Sequence, residues 1–129
     1  MNFLVRWFAL SRQKGLGPLT LWRLFDHVKN PRELFLLSAK ELSDLSKKPI
    51  SLFTSAFSRN SLQSAEITLR RIQKSQSVHC PWQDFPEFLR HIHTPPAVLF
   101  SEGHGLLSDD RIKVALVGSR KATLSGLRN

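Results

Sequence analysis

Lys113-Val114-Ala115-Leu116-Val117-Gly118-Ser119-Arg120-Lys121-Ala122-Thr123, near the end of a 129-residue chain, is the stretch that decides the fold. Residues 114–117 are a continuous apolar run with β-branched side chains at both ends, the pattern of a strand covered on both faces in a parallel α/β sheet. Gly118 allows the backbone to turn tightly behind it. Ser119, Arg120 and Thr123 then fall where a helix would start. Backbone N–H groups, two hydroxyls and a guanidinium could converge there on one anion, and Lys121 adds a second cation. The chemistry this suggests is phosphate binding, although a single glycine between strand and helix serves equally as a plain connection.

Upstream of this stretch two further strands are expected, at residues 78–80 and 98–100, with proline-rich connections and a helical turn over 85–91 between them. Before Gln76 the pattern is helical. Phe3, Leu4, Trp7 and Phe8 repeat at i, i+4 with Leu10 beside them, and Gly15-Leu16-Gly17 ends this helix before Pro18 opens the next. Leu21, Leu24, Phe25 and Val28 continue at helical spacing. Asn30-Pro31-Arg32-Glu33 and Ser38-Ala39-Lys40-Glu41 are two capping signals, each opening a short helix. After Lys47-Lys48-Pro49, Ile50, Phe53, Ala56 and Phe57 mark another short helix. Leu62, Ala65, Leu69 and Ile72 mark a longer one, with Arg70, Arg71 and Lys74 on its outer face. The chain therefore reads as a compact bundle of short helices over residues 1–76, followed by α/β elements over 77–129.

The glycine turn between the first two helices resembles a helix-hairpin-helix element, in which hairpin N–H groups and the next helix N-terminus grip a DNA phosphate. Gly15 and Gly17 would form that contact, flanked by Arg12, Lys14 and Arg23. Two glycines also simply permit a sharp turn. Trp7, Trp22 and Phe25 lie on apolar stripes and are expected in the core rather than as base-stacking platforms; Trp82 lies in a loop-like stretch and is left open.

Nineteen Lys and Arg against ten Asp and Glu give a net charge of +9, the electrostatic footprint of a chain that neutralises phosphates. The one cysteine, Cys80, excludes an internal disulfide and fits a reducing cytoplasm. Residues 1–10 are apolar, but Arg6 interrupts them and no small-residue cleavage site follows, so a core helix is expected rather than a signal peptide. No apolar run reaches membrane-spanning length. His79, Cys80, His91 and His93 match no common zinc spacing, Asp109-Asp110 reads as a turn, and no Ser/His/Asp arrangement has a supporting motif. Neither a metal nor another cofactor is expected.

Three blocks resemble the DNA-processing protein A family (DprA/Smf). Phe85-Pro86-Glu87-Phe88-Leu89 is similar to the family's Tyr-Pro-x-x-Leu, and Pro95-Pro96-Ala97-Val98-Leu99-Phe100 with Gly103 to its Pro-Pro-x-Val-Leu-Phe and trailing glycine. Val114-Ala115-Leu116-Val117-Gly118-Ser119-Arg120 is close to its Val-Ala-Ile-Val-Gly-Ser-Arg, with Thr123 and Gly126 at its later hydroxyl and glycine positions. Trp7-Phe8-Ala9-Leu10 and Gly15-Leu16-Gly17-Pro18 are similar to the opening of its first domain. Phe85 and Ser125 stand where the family usually has tyrosine.

The resemblance implies an α+β fragment: a helical domain of SAM-like, helix-hairpin-helix type over 1–76, then over 77–129 the first strands of a truncated Rossmann-like domain. It implies a non-enzymatic, cytoplasmic protein of natural transformation that binds single-stranded DNA, protects incoming DNA and helps to load a RecA-type recombinase. Full-length relatives self-associate, and this chain alone is expected to be weakly active or inactive. Gly118, Ser119, Arg120, Lys121 and Thr123 would carry the phosphate contact. Two alternatives stay open at this point: a nucleotide-binding Rossmann-like hydrolase, which needs a second Gly-rich loop and a catalytic Glu further on, and a helical protein-interaction module.

Overall fold

The computed structural model describes residues 2–103, 112, 114–121 and 123–125. Six helices come first: α1 (Phe3–Arg12), α2 (Pro18–Val28), α3 (Pro31–Leu34), α4 (Ala39–Ser46), α5 (Ile50–Ala56) and α6 (Arg59–Ile72). Then follow β1 (Ser77–His79), the short α7 (Glu87–Arg90) and β2 (Leu99–Ser101). Among the described residues the fold is α+β and mostly helical, with one two-stranded antiparallel sheet pairing Ser77 with Ser101, Val78 with Phe100 and His79 with Leu99.

Local chemistry explains where the helices start. Asn2 Oδ1 accepts a hydrogen bond from the Val5 N–H at 3.2 Å, and Asn30 Oδ1 from the Arg32 N–H at 2.9 Å. Ser38 and Glu41 form the reciprocal capping box their spacing suggests: the Glu41 N–H donates to Ser38 Oγ at 3.2 Å and the Ser38 N–H to Glu41 Oε2 at 2.7 Å. These bonds hold the Glu41 carboxyl below its ordinary pKa. Ser58 caps α6 one way only, its Oγ accepting from the Ser61 N–H at 3.3 Å. Proline at the first position of α2 and α3 forfeits no helical hydrogen bond there.

α1 is apolar almost all round because it is buried on two sides. One face, with Trp7 and Leu10, joins a core of Leu16, Leu21, Trp22, Leu24, Phe25, Leu34, Phe35, Leu42, Phe53 and Ala56. The other, with Val5, Phe8 and Ala9, packs on Ala65 and Leu69 of α6 and on Val78 of β1. The tryptophans on the helical stripes are core residues, and Trp82 joins them, half-buried with its ring centroid 5.3 Å from that of Trp7 and 6.0 Å from that of Phe25.

The core does not stop at Gln76. Cys80 and Ala97 belong to the same cluster as Trp7 and Phe53. Two indoles fasten the later segment to the helices: Trp7 Nε1 donates to the Ala97 carbonyl at 2.7 Å, and Trp22 Nε1 to the carbonyls of Pro95 and Pro96, each at 3.1 Å. Arg90 adds a clasp, 3.5 Å from Asp26, 3.7 Å from Glu87 and over the Trp22 ring at 5.1 Å. A lone two-stranded hairpin is marginal in water, so β1 and β2 rely on this packing, including the edge-on contact of Phe100 with Phe8 at 6.3 Å.

One expectation is corrected. Residues 114–117, read as a buried strand, carry no strand geometry, and Val114, Leu116 and Val117 are 80%, 96% and 93% exposed. A run with that pattern needs neighbours on both edges and both faces, and among the described residues nothing covers it. The sheet that does form is antiparallel. Lys113, the first residue of the expected strand, and the Asp109-Asp110 turn lie outside the described residues, as do Ala122 and Gly126.

Candidate nucleic-acid interface

The sequence suggests two places for a phosphate, and the structure holds them with unequal firmness. The first is the turn after residue 117. Gly118, Ser119, Arg120 and Lys121 are exposed, and a side chain at Gly118 would meet nothing within 4 Å. Arg120 and Lys121 form a turn in which the Lys121 N–H donates to Ser119 Oγ at 3.2 Å. That bond curls the backbone around the serine and leaves both cations facing solvent. Thr123 is exposed as well. The arrangement can offer an anion two flexible charges and two hydroxyls.

The second place is the α1–α2 hairpin, which is firmly set. The Leu16 N–H donates to the Gln13 carbonyl at 3.1 Å, and the Leu16 side chain is buried, pinning the middle of the turn. Gly15 has φ +97°, and a Cβ there would come within 3.1 Å of Leu52 Cδ1 in α5. Gly17, at φ −78°, caps α2 without a side-chain hydrogen bond, so the first-turn N–H groups of Leu19 and Thr20 remain available to an outside acceptor. Lys14 is exposed beside them. Arg12 turns away: its Nη1 donates to Thr68 Oγ1 of α6 at 3.4 Å and its guanidinium lies 5.5 Å from the Phe8 ring centroid. Arg23 is exposed further along α2. The hairpin thus brings Lys14, Gly15 and Gly17 together and leaves Arg12 and Arg23 at its margins.

The two glycines have unequal backbone demands. Gly15→Ala forces a Cβ into left-handed backbone against Leu52 and is expected to destabilise by about 1–2 kcal/mol. Gly17→Ala, with open space and ordinary φ, should cost less than about 1 kcal/mol. Urea melts of the two variants compare them directly; equal losses would mean that the φ at Gly15 is not what holds the hairpin.

The histidines and the cysteine have separate settings. His79 Nε2 lies 2.7 Å from Ser101 Oγ across the sheet, with its Nδ1 buried and unpartnered among the described residues. His91 Nε2 faces Glu87 at 3.3 Å on the surface, and His93 is exposed. Among the described residues no three His, Cys, Asp or Glu side chains are grouped to hold a metal ion. The buried Cys80 thiol is pushed up to about 12, chiefly by desolvation. Arg6 is held under the aromatic layer, its guanidinium 4.5 Å from the Phe57 ring centroid and 5.6 Å from that of Phe35, and burial lowers its pKa. Among the described residues no helix is long and apolar enough to cross a membrane.

Residues 77–129 match the family model of DNA recombination-mediator protein A. This stretch contains two of the three blocks that carry the resemblance in the sequence, including Gly118-Ser119-Arg120. No curated protein and no solved structure matches the chain.

Proposed function

We propose that this chain is a non-enzymatic, single-stranded DNA-binding protein of the recombination-mediator type, acting in the cytoplasm to protect incoming DNA and help to load a RecA-type recombinase. The observation that carries the proposal is the family match over residues 77–129, which includes the Gly118-Ser119-Arg120 turn. The family supports a role in DNA processing for recombination. Single-strand binding is the finer reading that the turn's chemistry favours. Arg120 and Lys121 supply charge, Ser119 and Thr123 supply hydroxyls, and Gly118 lets a phosphate approach the backbone. The α1–α2 hairpin, with Lys14, Gly15 and Gly17, supplies a second DNA contact, and the net charge of +9 draws a polyanion to both. Self-association belongs to the same proposal.

Fluorescence anisotropy with a labelled oligothymidylate tests it. Phosphate-directed binding should weaken steeply with added salt and show no sequence preference. Arg120→Ala should weaken single-strand affinity about tenfold and lower the magnitude of the salt slope by about 0.7, the loss of one contact. Arg120→Lys should restore most of the slope and only part of the affinity, because it keeps the charge and loses the planar fork. Salt-insensitive binding, or an unaltered Arg120→Ala titration, would refute the assignment of the turn.

A further inference from the structure

The two-stranded sheet has an open edge at β2. Apart from the ladder with β1, residues 98–101 make no backbone hydrogen bond among the described residues. Beside β2 a groove of about 250 Å³ runs between the strand and the helices, walled by Phe8 of α1, Pro18 and Leu21 of α2, and Val98 and Phe100. β1 contributes no residue to it. Ser11, its polar member, is already engaged, its Oγ donating to the Phe8 carbonyl at 2.8 Å. An apolar groove and an unpaired strand edge therefore lie side by side.

The same chain carries a segment suited to both. In extended backbone the 114–117 run would present Val114 with Leu116 on one side and Ala115 with Val117 on the other, so either side is apolar. All four residues are exposed and have no strand partner among the described residues. An extended segment added to a sheet edge gains ladder hydrogen bonds along its backbone, while alternate side chains enter a pocket. Twelve residues separate Ser101 from Val114, a reach of up to about 40 Å, yet the chain's own run meets solvent and leaves its own groove open. The groove is thus available to the run of another molecule.

We infer that this chain pairs with a second copy of itself by strand exchange: the 114–117 run of each protomer adds to the β2 edge of the other and places its apolar side chains in the groove beside Phe100. Each protomer offers one run and accepts one. A two-fold exchange therefore fills both edges and closes the assembly at two. It also covers the two features that the single chain leaves bare, an unpaired edge and an exposed apolar run. Two chains of net charge +9 repel one another, so the pairing tightens as salt screens them. Phosphate binding has the opposite salt dependence. The inference gives a surface to the self-association proposed above and rests on that part of the reading alone, not on either phosphate contact.

The test is sedimentation velocity of the full chain over about a hundredfold range of concentration, at low and at high salt. A monomer–dimer equilibrium that moves toward dimer with added salt is expected. Leu116→Asp should weaken the dimer about tenfold or more, although it lowers the net charge and with it the repulsion. Leu116→Ile keeps an apolar side chain that suits a strand and should change the dimer less than about threefold. Leu116 is exposed in the single chain, so both variants should melt with the parent at high dilution. Amide exchange gives a second readout: protection of residues 114–117 and 99–101 should rise together with concentration. A chain that stays monomeric throughout, open polymers in place of a dimer, or protection of 114–117 that ignores concentration, as docking within one chain would give, overturns the inference. If the dimer forms and Leu116→Asp leaves it intact, self-association stands on another surface and this one falls. If the dimer behaves as expected and the chain binds no oligothymidylate, this surface stands and the DNA-binding reading falls.

Discussion

Trp7→Ala is expected to remove most of the stability of the fold. Trp7 is fully buried on α1, edge-on to Phe25 at 6.4 Å and to Trp82 at 5.3 Å. Truncating a buried aromatic to alanine costs about 3–5 kcal/mol. The indole N–H is also the donor that satisfies the Ala97 carbonyl, and an orphaned buried acceptor adds about 1–3 kcal/mol unless water replaces the donor. Domains of this size have about 5–15 kcal/mol in total, so the variant should be partly or wholly unfolded at 25 °C. Trp7→Phe keeps a ring and loses only the donor, and should fall in between. Trp22→Ala removes a similar ring whose N–H is shared between two carbonyls. Chemical denaturation followed by circular dichroism gives the order. A Trp7→Ala loss below about 2 kcal/mol would mean that residues 95–97 are not fastened to α1 in the way described.

That indole contact also shows where reading the sequence succeeds and where it stops. The helices were legible because their signals are local. The i, i+4 stripe of α1, the Ser38/Glu41 box, the Asn30 cap and the Leu62, Ala65, Leu69, Ile72 spacing all act within a few residues. The docking of residues 77–103 was not legible, since it depends on indoles reaching carbonyls 90 and 73 residues away, and no short window records that. The place of Trp82 escapes the sequence for the same reason. Its stretch looks like a loop, and only the assembled fold shows that it covers Trp7.

The run at 114–117 fails in the opposite direction. Its composition is that of a buried strand, but burial is a property of its neighbours, and in this structure those residues meet solvent. The residue types of the candidate turn, Gly118, Ser119 and Arg120, were identifiable from the sequence and fall within the family match. The geometry they adopt was not, because it follows from whatever packs on the run before them. In the sequence, Lys47 does no more than precede the Pro49 that opens the next helix. A lysine gives no hint of the left-handed φ of 58° that Lys47 adopts, whereas a glycine such as Gly15 announces one.

Alkaline destabilisation centred on one thiol is the second large effect expected. Cys80 is completely buried between the aromatic core and β1, and its pKa rises from 9.0 to about 12. Desolvation of the thiolate is the main cause; hydrogen bonds from the backbone at Trp82 and Gln83 pull weakly the other way, and the Asp84 charge adds to the rise. Because the folded state favours the neutral thiol, its contribution is fully present below the unfolded pKa near 9 and is lost as pH climbs toward the folded value. Between those limits the unfolded chain releases a proton that the folded chain retains, which costs about 1.4 kcal/mol per pH unit and about 4 kcal/mol over the whole interval. The comparison is differential, so that everything the two proteins share cancels. Cys80→Ala should be weaker than the parent by about 1 kcal/mol at pH 8, where only the buried sulfur is lost. By about pH 10 the two should be equally stable, and at higher pH the alanine variant should be the stabler. Urea unfolding of both proteins at several pH values from 8 to 11 draws this crossing. A stability difference that stays flat across the series would show that water reaches the thiolate in the folded state, and the tight cover of Trp82 and Ala97 over the core would have to be abandoned.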